Sequence, residues 1–326
     1  MSTYVILLNW NGRDHTLECL PGLLQDESLS LIICDNGSED GSLDAFAGFL
    51  AERYPERRVQ MQDRADISLL SPGPAGCVYL LRNGANLGFA GGNNPGIRLA
   101  LRDPACRYVW LLNNDTTVQA DTLAKAVARM EQDSRIGICG SSLVYAHTPG
   151  VLQAFGGAVY SRWSGRSRHI GAFSRFEDIP VSPEAVECDM SYVVGASMLV
   201  RREFIESVGL MQEDYFLYYE EADWAERGKG RFRLGYAPES IVFHKEGASI
   251  GTSASGGSPL SVFYLFRNRL RFTWRYHRLF LPSVVAFVAL DLLRFVLKGR
   301  WPQARAALRG VLQAAPPVPR LRKGAA

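Results

Sequence analysis

None of the six cysteines in this 326-residue chain (Cys19, Cys34, Cys77, Cys106, Cys139 and Cys188) forms a C-x-x-C pair or stands at a zinc-ligand spacing. That excludes a disulfide-stapled scaffold and a zinc module, and it indicates a reducing compartment. The opening residues MSTYVILLNW carry no basic leader and no small-residue cleavage site, so no secretory signal is expected. No self-similarity recurs at a period of about 20 to 50 residues, which excludes a solenoid or a propeller. The apolar stretch LPSVVAFVAL stops at Asp291, short of the ~20 residues that span a bilayer. With 47% hydrophobic residues the composition is neither disordered nor fibrous, and the length suits one large α/β domain with an appendage.

Charge is present but unevenly placed. From Pro259 onward 13 Lys and Arg face a single acid, Asp291, so that region carries +12 while residues 1–258 carry −9, within an overall +3. The tail is a separate electrostatic object. Strand-like runs YVILLNW, LSLIICD, VYLLRN, YVWLLNND and IGICGSSLVY alternate with helical stretches near residues 14–25, 42–53, 92–102 and 120–132. This alternation predicts βαβ units and a mostly parallel sheet. Beyond residue 150 the pattern turns Gly-rich and strand-poor. SYVVGASMLVRREFIESVG then predicts a strand running into a helix, DYFLYYEEADWAERGKG a short helix, RFRLGYAPESIVFH two strands about a proline turn, and KEGASIGTSASGGSP a polar linker.

Four of the five early strand-like runs end in polar residues: Asn9 and Asn11; Asp35 and Asn36; Asn83 and Asn86; Asn113, Asn114 and Asp115. A single such ending is turn chemistry, whereas several at the carboxyl ends of parallel strands point to a polar ligand cleft. In CDNGSEDGS, Asp35 at a strand tip can accept from ribose hydroxyls or a base N–H, with Asp40 close behind; an Asx turn is the plain alternative. NLGFAGGNNPG sets Gly88, Gly91 and Gly92 before a helix, so backbone could approach a diphosphate, but it does not match G-x-G-x-x-G and no dinucleotide is expected. FLYYEEADW groups Glu220, Glu221 and Asp223 among aromatics, where repulsion and burial raise a carboxylate's pKa as a general base needs. His244 ends another β-like run; a lone histidine is ordinarily structural, yet imidazole also partners a carboxylate-held cation.

The ordered set DNGSEDGS, NLGFAGGNN, LLNND, EEADW and a late histidine resembles the family-two inverting glycosyltransferases of GT-A fold, in their rhamnosyltransferase-like branch, over roughly residues 4–250. The resemblance implies an α/β, Rossmann-like, mostly parallel sheet: a catalytic domain over 1–258, with a nucleotide-binding half over 1–118 and an acceptor half over 119–258, followed by an amphipathic helical tail over 259–326. Asp35 would meet the base or ribose and Asp40 would support its loop. Asn9, Asn36, Asn86, Gly88, Gly91, Asn93, Asn113 and Asn114 would line the nucleotide-sugar pocket. NND stands where the family has its DXD motif; Asp115 matches the metal-binding Asp, while Asn113 replaces the first Asp and removes one charged ligand. Glu221 matches the catalytic base, usually Asp, with Glu220 and Asp223 as supporting acids, and His244 would complete a site for Mg²⁺ or Mn²⁺.

The same resemblance implies transfer from a nucleotide-diphosphate sugar, with dTDP-rhamnose favoured and UDP-galactose, UDP-GlcNAc or GDP-mannose as alternatives, in surface-polysaccharide assembly. A catalytically inactive scaffold of the same fold is the non-enzymatic alternative. In the tail, Arg267, Arg269, Arg271, Arg275 and Arg278 interleave with aromatics ahead of the apolar stretch. Residues 263–300 are therefore expected to lie on an anionic membrane surface at the cytoplasmic face, with a lipid-linked acceptor and no nucleic acid partner. A homodimer interface is the structural alternative.

Overall fold

A computed structural model describes residues 2–69, 73–148, 150–179, 182–245 and 257–313. Strands β1 (Ser2–Asn9), β2 (Ser30–Asp35), β3 (Val59–Asp63), β4 (Val78–Arg82) and β5 (Cys106–Asn113) pair in parallel in the order β3-β4-β2-β1-β5. They belong to a ten-stranded sheet among the described residues, extended by β6 (Thr116–Val118), β7 (Ile136–Tyr145), β8 (Leu152–Phe155), β12 (Ser197–Arg201) and β13 (Arg233–His244). β12 runs antiparallel between β5 and β7, while β7 and β13 are parallel. A three-stranded sheet joins β9 (Gly157–Tyr160), β10 (Ser167–His169) and β11 (Tyr192–Val193).

Because side chains alternate along a strand, β1 feeds two cores. Val5 and Leu7 face one that includes Leu20 and Leu23 of α1 (Arg13–Leu24), Phe46 and Leu50 of α2 (Ser42–Arg53), and Ala126 and Met130 of α4 (Thr122–Gln132). Tyr4 and Ile6 face the other, with Ile97 of α3 (Gly88–Leu101), Phe204 of α6 (Arg202–Val208) and Trp224 of α7 (Glu220–Gly228). A short helix α5 (Glu184–Glu187) supplies Glu187, whose buried carboxylate pairs with Arg129 at 2.7 Å.

Several local expectations change. The glycine-rich segment is helix, not loop: α3 starts at Gly88 and contains Gly91, Gly92, Asn93 and Pro95. It packs so closely on the sheet that a Cβ at Gly96 would lie 2.8 Å from Cys34 Sγ, and one at Gly92 would penetrate Leu8. The region after residue 150 is not strand-poor; β8 and β9 form because Leu152, Ala154 and Ala158 are buried. RLGYAPESIVFH is one strand, and its register shift between Ala237 and Ile241 accommodates Pro238, which cannot donate to a ladder.

The chain forms two compact units: residues 1–159, 168–213 and 220–249, and residues 160–167, 214–219 and 250–326. Residues 246–256 of the polar linker lie outside the described residues. Within the second unit α8 (Pro259–Tyr276), α9 (Leu281–Leu297) and α10 (Trp301–Leu312) enclose Val262, Phe266, Val284, Val288 and Ala307. Asp291 does not end the apolar helix: Arg278–Leu297 is a 20-residue helical run containing an 18-residue stretch of mean hydropathy 2.1, among the described residues long and apolar enough to cross a membrane by those two criteria. Asp291 pairs with Arg269 at 2.9 Å and with Arg166.

Candidate active site

The strand tips converge in two different ways. Asn9 and Asp35 are register partners at the ends of β1 and β2. Asn9 Nδ2 donates to Asp35 Oδ1 at 2.9 Å and to Ser38 Oγ at 3.0 Å, while Ser38 N donates to Asp35 Oδ2 at 3.0 Å. Asn9 Oδ1 accepts from Asn114 Nδ2 at 3.1 Å and Thr16 Oγ1 at 3.0 Å. Asn9, Asp35 and Asn114 are all buried. This network ties the turn after β5 to the turns after β1 and β2.

A second amide relay continues along the sheet edge. Asn83 Nδ2 donates to Asn36 Oδ1 at 3.1 Å, Asn36 Nδ2 donates to Asn86 Oδ1 at 3.2 Å and Gly88 O at 3.1 Å, and Gly88 N donates back to Asn86 Oδ1 at 3.0 Å. Gly88 has φ +74° where the chain enters α3, a conformation a side chain would strain. Asn93 is buried on α3 and donates to Phe89 O at 3.0 Å, and a Cβ at Gly91 would lie 2.9 Å from Leu87 Cβ. Asp40 accepts from Ser42 N and Arg13 N, each at 3.1 Å. Burial would raise its pKa, but those bonds and the Ser42 hydroxyl bring it below the ordinary carboxylate value.

Asp115 and His244 meet at the other end of the turn. β13 pairs antiparallel with β6, aligning His244 with Thr116, and Lys245 N donates to Asp115 O at 3.0 Å. The ladder thus carries His244 Nε2 to 3.1 Å from Asp115 Oδ1, with both side chains buried. Asn113 Nδ2 lies 3.4 Å from the same Nε2, and His244 Nδ1 is 2.8 Å from Gln153 Oε1. Burial alone would raise the pKa of Asp115; the hydrogen bond and charge of His244 outweigh it and lower it. With Nδ1–H donating to Gln153, Nε2 of a neutral ring presents a lone pair toward a carboxylate oxygen. Such a face is relieved by a proton on Nε2 or by a cation bound between the two, so the donor set fits a divalent ion. Among the described residues no third His, Cys, Asp or Glu joins them.

The three acids of α7 separate by environment. Asp223 is fully buried and accepts from Arg227 Nε at 2.7 Å, four residues on. Glu220 is also buried. Glu221 lies against Gly195, where even a Cβ would collide with its Oε1. Burial, opposed only by the bond to its own backbone N–H, pushes the Glu221 carboxyl up to about 7. A carboxyl poised there can accept a proton near neutral pH. Sequence reasoning missed Gln153, Thr16, Ser38 and Gly195; the serine in DNGSEDG was a readable turn signal, while Gln153 and Gly195 carry none.

Residues 72–182 match the family model described as Glycosyl transferase family 2. The chain is 22% identical over 193 residues to the low-salt glycan biosynthesis hexosyltransferase Agl10 of Haloferax volcanii, a match spanning 59% of each chain. It is 27% identical over 246 residues to the N-acetylglucosaminyl-diphospho-decaprenol L-rhamnosyltransferase of Mycobacterium tuberculosis, spanning 70% of each. Among solved structures, the mannosyltransferase PcManGT of Pyrobaculum calidifontis, in complex with GDP-Man and Mn2+, aligns with a TM-score of 0.54 at 15% identity, over 96% of this chain and 85% of that one. That last likeness is one of fold.

Proposed function

We propose that this chain, whose residues 72–182 match the model of glycosyl transferase family 2 and whose fold is GT-A, acts as a family-two glycosyltransferase that moves a hexose, with L-rhamnose from dTDP-rhamnose favoured, onto a hydroxyl of a lipid-linked glycan. The observation that carries the site assignment is the convergence of Asp115 and His244 at 3.1 Å where β5 turns and β13 ends. We assign nucleoside recognition to Asp35 and the loop it orders, and the donor pocket to the amide relay and the first turns of α3. The sugar and the lipid carrier are supported by the mycobacterial relative's activity.

Glu221 removes the proton of the acceptor hydroxyl as its oxygen attacks the anomeric carbon. The bond from that carbon to the diphosphate breaks on the opposite face, and the configuration inverts. Asp115 and His244 would hold Mg²⁺ or Mn²⁺, which when bound offsets the charge gathered on the departing diphosphate. The same anion would be met by backbone N–H groups in the first turn of α3 beyond Gly88, whose own N–H is donated to Asn86.

The second unit supports a membrane-surface location. α9 turns Val284 and Val288 inward and leaves Val285, Leu290, Leu293 and Leu297 exposed, while Arg294 on the helix and Arg278 and Lys298 at its two ends are exposed. Arg269 is turned inward, to Asp291 and to Ser164 O at 2.7 Å, so headgroup contact falls to the outer basic residues. Flotation with anionic liposomes checks this; a full-length chain that stays at the bottom of the gradient refutes it. For the transfer reading, thermal unfolding with dTDP, UDP and GDP, with and without Mn²⁺, needs no acceptor. Stabilisation by one of them that requires Mn²⁺ supports the reading, and no shift with any nucleotide refutes it.

A further inference from the structure

Asn268 of α8 has none of its surface exposed, and its amide nitrogen reaches three main-chain carbonyls: Tyr215 O at 2.9 Å, Leu217 O at 2.7 Å and Tyr218 O at 3.1 Å. Chemistry fixes which way the amide points. Its Oδ1 accepts from Arg267 Nε at 3.0 Å, and carbonyl oxygens require a donor. Arg267 Nη2 adds bonds to Asp214 O at 2.7 Å and Tyr215 O at 2.9 Å, and Arg271 Nη1 one to Asp214 O at 3.2 Å. Tyr219 donates its hydroxyl to Gly165 O at 2.6 Å, and Phe216 stacks on Tyr264 with centroids 4.7 Å apart. All of these residues belong to the second unit.

The backbone held in this way is unusual. Phe216, Tyr218 and Tyr219 have φ of +65°, +66° and +76°, the left-handed region in which bulky side chains are rare. Such a residue persists only where its surroundings over-determine it. Asn268 and Arg267 supply that determination. The residues that follow without a break are Glu220 and Glu221, so whatever direction the strained segment takes is passed through one peptide bond into the first turn of α7. A segment needed only for stability would gain by relaxing these angles; strain retained immediately before a candidate base is what aiming requires.

We propose that Asn268, assisted by Arg267, is a positioning residue for the proton transfer assigned to Glu221: it clamps residues 214–219 in their left-handed path and so sets where α7 begins. The inference rests on the reading of Glu221 as base. It also gives the basic-aromatic motif FRNRLRF a role directed into the protein.

The test compares full-length wild type with Asn268→Leu, Asn268→Gln, which keeps the donor on a longer stem, and the milder Arg267→Lys. Amide hydrogen exchange is followed by mass spectrometry. Turnover is followed as nucleoside diphosphate release from dTDP-rhamnose, UDP-galactose, UDP-GlcNAc and GDP-mannose with N-acetylglucosaminyl-diphospho-decaprenol. Expected for Asn268→Leu are at least tenfold faster exchange confined to the peptides spanning 214–222, and a kcat lowered about 100-fold at unchanged donor KM, as a misplacement of about 1 Å produces. Asn268→Gln should recover part of both. Should Asn268→Leu fail to fold, Arg267→Lys is expected to give smaller changes of the same kind. Unaltered exchange over 214–222 in a folded variant overturns the clamp, and loosened exchange with unchanged kcat overturns the positioning role. A wild type that turns over none of the four donors refutes the transfer reading instead, and with it the role of Asn268 toward a base, while exchange alone then decides the clamp.

Discussion

Two sets of polar groups in the first unit use their hydrogen-bonding capacity differently. Around Asn9, Asp35 and Asn114 the donors and acceptors are matched with one another, so the cluster fixes three turns against each other. Elsewhere capacity is left over: Asp115 and His244 meet as a carboxylate oxygen facing an imidazole nitrogen, and Glu221, in the first turn of α7, enters no hydrogen bond with another side chain among the described residues. The first set builds the rim of a cleft, whereas the second leaves capacity for a proton, a cation or a substrate. Polar residues at strand tips are therefore not equivalent candidates for chemistry, although they look alike in the sequence.

Substitutions should separate the two sets. Glu221→Gln removes the base without changing shape, so transfer should fall about 10²- to 10⁴-fold while the melting temperature holds or rises; near-normal transfer would remove Glu221 from the mechanism. Gly195→Ala pushes the same carboxylate aside without touching its charge, and a loss of kcat on the order of 10²-fold is expected, again in a folded protein. Asp115→Ala should abolish the Mn²⁺-dependent part of nucleotide stabilisation, which at about 100 times the Kd amounts to roughly 2.7 kcal/mol; thermal unfolding reads it directly. Asn9→Leu should act first on stability, lowering it by about 1 to 3 kcal/mol through unsatisfied partners; because Asn9 also holds Asp35 and Ser38, nucleotide affinity should weaken while kcat of the folded fraction is kept. If Asn9→Leu instead eliminated turnover in a fully stable protein, the distinction between the two sets would fail.

The pH response is the finest discriminator. Transfer should decline as pH drops below about 7, where Glu221 takes up a proton. Stability runs the other way. The folded pKa of Glu221 is raised above its ordinary 4.5, so its stabilising contribution is complete below 4.5 and is lost as pH rises through about 7. Glu221→Gln should erase both dependences together, as pH-rate profiles and unfolding at several pH values would report.

Much of the first unit could be read in advance because its signals are local. Apolar runs ending in Asn or Asp mark β1, β2, β4 and β5, and the charge step near residue 258 marks the helical tail. What could not be read depends on distant partners. Gly92 and Gly96 suggest a flexible loop until Leu8 and Cys34 are found beneath them, where they are what allows α3 to approach the sheet. Pro238 suggests a turn, but β7 and β6 hold β13 as one bulged strand around it. Glu220, Glu221 and Asp223 look alike in EEADW; only Arg227, one helical turn beyond Asp223, and Gly195, far back in the chain, distinguish them. The left-handed aromatic path from Phe216 to Tyr219 has no glycine to announce it, and its cause lies on α8.

α9 is apolar on both faces: Val284 and Val288 turn inward beside the acid Asp291, which is held toward Arg269 and Arg166, while Leu290, Leu293 and Leu297 are exposed. In water this face is a colloidal liability that a net charge of +3 does little to offset. Purified without detergent, the chain should self-associate as concentration rises, and changing Leu290 and Leu293 to glutamine should yield a well-behaved monomer without disturbing the sheet.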